Sequence, residues 1–437
     1  MPSYVPNTDQ DRSAMLSVLD LQSVDDLFAD IPPHIRDLPL ALPAGLTELE
    51  LKRELGALAA SNFSVETAPC FLGGGAYRHF IPSVVNSIIS RSEFYTAYTP
   101  YQPEISQGTL QTIFEFQSMM CELTGMEAAN SGMYDGATAL AEAALMACRV
   151  TGRSRIAAVS TVNRAWREVI NTYCEGQTIT QTVFEPEKVA LDGSYACLVV
   201  QYPNFFGCLE DMAVWEQAAH AAGALLVVAA GLVPLGLLKP PGDFGADIVV
   251  AEGQPLGQAL SFGGPYVGVF CTKEQHIRQM PGRIVGRTAD AEGRTGYVLT
   301  LQAREQHIRR ERATSNICTS QALVALAITV NLASLGPQGM REVAELCYHK
   351  AHYLAGCIAG LPGFSLPLQG AFFHEFVAQC PIPPKEVNRR LLQAGILGGL
   401  DVSDQVENGL LLCCTEMNSR VEIDLLVDEL AKISSGR

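Results

Sequence analysis

With 437 residues, 48 % hydrophobic and 17 % charged, the chain has enough apolar side chains for large buried cores and does not read as disordered. Its net charge of −16 argues against a non-specific nucleic-acid surface and against docking on an anionic membrane. The 13 cysteines are scattered without a C-x-x-C, which predicts reduced, buried thiols in a cytoplasmic protein rather than a disulfide frame. The opening MPSYVPNTDQDRSAML carries neither a basic nor an apolar run, so no secretory signal is expected.

Residues 1–65 read as a helical arm. Thr47 with Glu50 makes a capping-box pattern before Leu51, Leu55 and Leu58. The stretch FLGGGAYRHF (71–80) is glycine-rich and has no helix or strand period. A helix is expected from Ser106 to a stop at Gly125, and another over Tyr134–Arg149 with an Ala- and Leu-rich buried face. Strands are then expected near Ile156–Val159, Thr178–Phe184, Ala196–Gln201, Leu225–Ala229, Asp247–Ala251 and Tyr266–Cys271. Helices alternate with several of them, over Asn163–Cys174 and Glu210–Ala222. Alternation of this kind predicts a mostly parallel α/β sheet. Residues 221–238, AAGALLVVAAGLVPLGLL, lack any charge. They reach the length of a membrane span, but the strand-like ALLVV and the three glycines and proline favour a strand covered on both faces.

Helices are predicted near Gln302–Arg312, Thr319–Leu335 and Met340–Ala359. Past LPGFSLPLQG (361–370) come a strand (Phe372–Val377), a helix (Pro384–Ala394), a strand (Leu410–Cys414) and a last helix capped by Ser419 and Glu422. The layout is a 1–65 arm, a 66–335 large α/β domain and a 336–437 small α+β domain. It is that of fold-type I pyridoxal-phosphate enzymes (the transferase-like large domain), an analogy of fold and not of function.

Chemistry enters at FYTAYTPYQPEISQG (94–108). Thr99-Pro100 and Gln102-Pro103 must be extended, so tyrosine, amide and carboxylate side chains are held on a rigid, non-helical segment. This string belongs to a set: AYTPYQPEISQG (97–108), SGMYDGATALAEA (131–143), LLKPPGDFGADIVVAEGQPLG (237–257), SFGGPYVGVF (261–270), MPGRIVGRT (280–288) and QAREQHIRRERATSNICTSQAL (302–323). Together they resemble the glycine decarboxylase, or P-protein, family of the glycine cleavage system, and more narrowly the first subunit of its split, two-chain form. The resemblance implies decarboxylation of glycine on pyridoxal phosphate and passage of the aminomethyl group to the lipoyl arm of H-protein.

That chemistry needs a lysine and an acidic partner for the cofactor ring. Of seven lysines, none stands where the resemblance places the active one. After ADIVV (246–250) the catalytic subunit of the family has a His-Lys pair, and here Gln254-Pro255 fall on it. The acid expected at the end of the preceding strand is replaced by Ala229, Ala230 and Gly231. Both groups are missing together, as expected of a subunit that keeps the fold and leaves the cofactor to a homologous lysine-bearing partner in an α₂β₂ assembly. In that reading Tyr98, Pro100, Tyr101, Gln102 and Glu104 line the partner's site across an interface.

Weaker candidates accompany them. Gly74, in the triplet Gly73-Gly74-Gly75, either lets backbone approach the partner's cofactor or only turns the chain. His79 follows in the same loop. Asn130 and Ser131 sit where the fold cradles a cofactor phosphate, and read as an inherited loop. Arg287, with Arg283, Arg304, Arg309, Arg310 and Arg312, either meets the partner's phosphate or the acidic H-protein, or forms helix salt bridges with Glu305 and Glu311. Asn316 lies in the turn after them. His349 and His352 read as surface histidines, and Phe372, Phe373 and Phe376 around His374 and Glu375 as small-domain core. No metal site is expected. Two rival functions stay open: a stand-alone pyridoxal-phosphate aminotransferase or decarboxylase using Lys239 or Lys273, and a non-catalytic scaffold of the same fold.

Overall fold

In the computed structural model, which describes residues 6–36 and 41–435, twelve strands run in chain order. They are β1 (Ala128–Ala129), β2 (Arg155–Val159), β3 (Thr180–Phe184), β4 (Tyr195–Tyr202), β5 (Leu225–Ala230), β6 (Ile248–Glu252), β7 (Gly268–Thr272), β8 (Ile284–Ala289), β9 (Thr295–Thr300), β10 (Glu375–Gln379), β11 (Leu400–Asp401) and β12 (Gly409–Cys413). Seven of them form one sheet in the order β1-β7-β6-β5-β4-β2-β3. The pairs from β3 to β6 are parallel, whereas β7 runs antiparallel to both β6 and β1.

The charge-free run at 221–238 is explained by β5. Leu226, Val228 and Ala230 enter one core while Val227 and Ala229 enter the other. A central strand with helices on both faces has no polar side, so its sequence is apolar throughout. On one face lies the helix Gly136–Thr151, whose Ala139, Ala141, Ala143, Ala144 and Ala147 are fully buried. Small side chains let its backbone approach the sheet closely. The helices Gln107–Thr124 and Met212–Ala221 contribute Phe116, Met120, Met212 and Trp215 to the opposite core.

The helix Ala322–Ala359 begins on the large sheet with Val324, Ala325 and Ile328 and ends in the small core with Leu354 and Ile358. Gly336, at φ 62 and followed by Pro337, breaks it, as a glycine with positive φ and a proline together must. The small core is completed by the antiparallel sheet β10-β12-β11 and the helices Pro384–Gln393 and Arg420–Ser434.

The chain divides into two compact units between Phe63 and Ser64. The first holds the helices Asp9–Val18 and Glu48–Ala60, each opened by a capping box, Thr8 with Asp11 and Thr47 with Glu50.

Three expectations need correction. The hairpin β8–β9 stands where no strand was expected. Residues 302–312 are broken into three one-turn helical pieces, Gln302–Arg304, Gln306–Arg309 and Arg310–Arg312, rather than one helix, with Leu301 and Arg310 at φ 54 and 53. There Arg304 spends its guanidinium on the carbonyls of Leu301, Met280 and Gly282 instead of a neighbouring carboxylate. The first strand of the small sheet starts at Glu375, three residues late, which leaves Phe372, Phe373 and His374 in the loop before it.

Candidate functional site

Parallel strands leave a crevice at their carboxyl ends, where ligands of α/β sheets bind. Here the ends of β5 and β6 border a cavity of about 50 Å³ whose wall includes Tyr77, His79, Trp166, Ala230, Glu252, Pro255, His374 and Glu375. It is far smaller than the roughly 300–1,000 Å³ of small-molecule sites.

Its polar groups are tied to one another. Glu375 accepts from the Gly74 N–H at 2.6 Å and the Tyr77 hydroxyl at 2.7 Å, and burial pushes its carboxyl up to about 7. Glu252 accepts from the backbone N–H groups of Gly136 (2.9 Å), Gln254 (3.0 Å) and Val267 (3.3 Å). Burial lifts it to about 7 as well, against the pull of those donors. Burial, reinforced by neighbouring His79, drops His374 to about 3, so its imidazole is neutral at physiological pH. His79 Nδ1 pairs with Glu416 at 2.7 Å. Burial raises Glu416, but the bond and charge of His79 and the Phe80 N–H outweigh it and hold the carboxyl below its usual range.

Among the described residues one trio of metal-type donors, His79, Cys347 and Glu416, lies within 4.8 Å of one another. Both Glu416 oxygens are already engaged, by His79 and by Phe80. His349 is exposed. His352, expected at the surface, is instead half-buried, stacked on Phe372 at 3.9 Å with Nε2 3.0 Å from the Phe372 carbonyl.

A second cavity, of about 290 Å³, opens beside the tyrosine-rich segment and is lined by Tyr98, Pro100, Ser131 and Arg283 among others. Pro100 is buried and anchors the segment, while Tyr98 is 77 % exposed. Arg283 donates to the Tyr101 hydroxyl at 2.9 Å and faces Glu305 at 3.3 Å, both ends of that ion pair being buried. Gln102 and Glu104 are exposed.

The candidates from the sequence therefore divide. His79 lines the first cavity, with Gly74 bonded to its wall. Tyr98, Pro100 and Ser131 line the second. Asn130 reaches neither cavity's lining: its amide braces Gly132 N–H (3.0 Å) and the Pro281 carbonyl (3.1 Å). The helix begins six residues later, at Gly136 under an Asp135 cap. Arg287 and Asn316 are exposed. Tyr77, Glu252, His374 and Glu375 were missed. His374 and Glu375 are buried as expected of core, yet face the cavity. The signal for Glu252 was an acid closing an otherwise apolar strand.

Pyridoxal phosphate does not fit this first cavity. Pro255 stands where the resemblance puts the lysine, and Ala230 ends the strand where the acid would be. The N-terminus of the Gly136 helix, the place for a phosphate, meets the Glu252 carboxylate. Lys273 is at the opposite end of the strands, one residue past the Ile248–Thr272 pair where β6 begins, with Nζ 2.5 Å from Asp247. Lys239 is exposed, with Nζ 4.5 Å from the Phe244 ring centre.

The family model described as "Glycine cleavage system P-protein" matches residues 2–430. The chain belongs to the glycine cleavage system P-protein family. A relative from Desulforamulus reducens, "Probable glycine dehydrogenase (decarboxylating) subunit 1", is 53 % identical over 99 % of this chain and 100 % of its own length. A crystal structure of glycine decarboxylase (P-protein) of the glycine cleavage system, in inhibitor-bound form, superposes with a TM-score of 0.93 at 43 % identity, covering 99 % of this chain and 100 % of that one. A glutamate decarboxylase from Lactobacillus brevis shares the fold at a TM-score of 0.65 and 15 % identity, over 92 % of this chain and 97 % of its own. That second likeness, at 15 % identity, is one of fold.

Proposed function

We propose that this chain is the lysine-less subunit of a two-chain glycine decarboxylase. A homologous, lysine-bearing partner holds the pyridoxal phosphate. The assembly decarboxylates glycine and delivers the aminomethyl group to the lipoyl arm of H-protein. The observation that carries the reading is the wall of the first cavity, with Pro255 and Ala230 in place of lysine and acid and a carboxylate at the helix N-terminus. The contribution of this chain is the segment from Tyr98 to Glu104, which presents two exposed tyrosines, an amide and a carboxylate from a backbone anchored at Pro100 and Arg283. It is proposed to line the partner's site. The stand-alone reading loses its support because Lys239 and Lys273 are both away from the crevice. In this proposal residues 66–335 form the large domain and 336–437 the small one, the assembly is α₂β₂, and its compartment is the cytoplasm, in keeping with 13 cysteines that are all free.

The test is borohydride reduction of the isolated chain after incubation with pyridoxal phosphate, read by intact mass and peptide mapping. The expected outcome is no stoichiometric labelling of any lysine, with labelling of the partner in the mixed enzyme. One fully labelled lysine in the isolated chain would overturn the proposal.

A further inference from the structure

An α-helix leaves its first N–H groups without intrahelical partners, and the macrodipole makes that end attractive to anions. In the helix Gly136–Thr151 the Asp135 side chain caps the Thr138 N–H at 2.7 Å. The Gly136 N–H is taken by Glu252 Oε2 at 2.9 Å, an oxygen delivered from the end of β6. The other oxygen, Oε1, accepts from Gln254 and Val267, so a single carboxylate ties the strand end to the helix start.

The junction is packed shut. A Cβ on Gly136 would come within 2.4 and 2.8 Å of the Trp166 ring and 3.0 Å of the Glu252 backbone nitrogen. The cavity that Glu252 borders also holds two buried ring nitrogens without partners, His79 Nε2 and His374 Nδ1, each on a histidine whose side chain or residue is only 5 % exposed. A crevice with unspent polar groups and a helix terminus at its edge is built like a ligand site, and one internal carboxylate fills the anion position.

We propose that Glu252 is a built-in anion that occupies the phosphate position of the Gly136 helix and closes this chain's crevice to phosphate-bearing ligands. The inference rests on the reading of this chain as the subunit without its own cofactor. It goes further in naming the residue that enforces the exclusion. The missing lysine alone would abolish covalent anchoring and still leave a phosphate-binding helix end, whereas Glu252 removes that as well.

The experiment compares Glu252→Ala, Glu252→Gln and the unaltered chain by thermal melting at mildly alkaline pH, in inorganic phosphate and in chloride of matched ionic strength. In Glu252→Ala the vacated position should take phosphate, giving a saturable rise in melting temperature absent from chloride and from the unaltered chain. Pyridoxal phosphate should give the same rise without labelling a lysine. Glu252→Gln keeps the volume but puts an amide nitrogen, which cannot accept, at one of the two positions where Glu252 receives backbone N–H groups, so it should melt below the unaltered chain and ignore phosphate. Two results would overturn the proposal: a Glu252→Ala chain that melts identically in both salts, or a phosphate-specific rise in the unaltered chain. Should Glu252→Ala fail to fold in either salt, Glu252→Gln decides, and its melting together with the unaltered chain would overturn the proposal. A phosphate response in the unaltered chain without lysine labelling sinks this inference alone, whereas lysine labelling sinks the lysine-less reading.

Discussion

Glu375 shows what a buried carboxyl does to stability. Its partners are the Gly74 N–H and the Tyr77 hydroxyl, and burial lifts its pKa from 4.5 to about 7. Between those values the folded chain holds a proton that the unfolded chain has released. Stability therefore falls as pH rises through that window, by on the order of 3 kcal/mol for this one group. Glu375→Gln cannot titrate. Denaturant unfolding of both proteins at a series of pH values should show the unaltered chain losing stability relative to the variant as pH rises from the acidic side of the window to the alkaline side. Parallel curves would contradict the assignment. Glu252 contributes a slope of the same sign to both proteins, so the comparison isolates Glu375. Neither role was legible in the sequence. A glutamate after Phe372, Phe373 and His374 has no period, and its partners Gly74 and Tyr77 lie some 300 residues away (301 and 298). The place of Pro255 was legible, because counting along a recognised strand reaches it without any tertiary information.

At the scale of elements, local chemistry carried most of what was predicted. Ser419 and Glu422 were read as a capping box from their spacing. In the fold the Ser419 N–H donates to Glu422 at 2.6 Å and the Glu422 N–H donates to Ser419 at 3.2 Å, opening the helix Arg420–Ser434. Ser419→Ala should cost about 1 kcal/mol, measured as a lower denaturant midpoint at unchanged slope; no shift would mean the cap is replaced by solvent. Caps, glycine stops and apolar stripes act within four residues, so they can be read in order. The failures came where elements depend on distant partners. The strands β8 and β9 exist by pairing with each other, from Ile284–Thr300 to Ala289–Thr295. Arg304, read as one of a helix's salt-bridging arginines, instead holds backbone carbonyls at Met280 and Gly282.

For the whole molecule, what stands out is what one chain leaves uncovered. Tyr95 is 68 % and Tyr98 77 % exposed on a segment fixed by two prolines, a buried Pro100 and the Arg283–Tyr101 bond. Rigid aromatic groups facing outward suit contact with another chain. In the assembled enzyme, Tyr98→Phe or Glu104→Gln should lower glycine–CO₂ exchange by on the order of tenfold, or about 1.4 kcal/mol of transition-state interaction, while the isolated chain melts as before. Undiminished exchange in both variants would remove the interface-segment proposal.

The sequence by itself determined the family and the doubly covered, mostly parallel sheet, because each is written in contiguous strings or in a short period along the chain. Only the tertiary structure decided that the candidates separate into two cavities, and that Glu252 reaches the start of a helix 116 residues earlier in the chain. The reason is physical. Sheet order sets the end of β6 against the start of the Gly136 helix, and a hydrogen bond between such ends leaves no periodic mark on either segment.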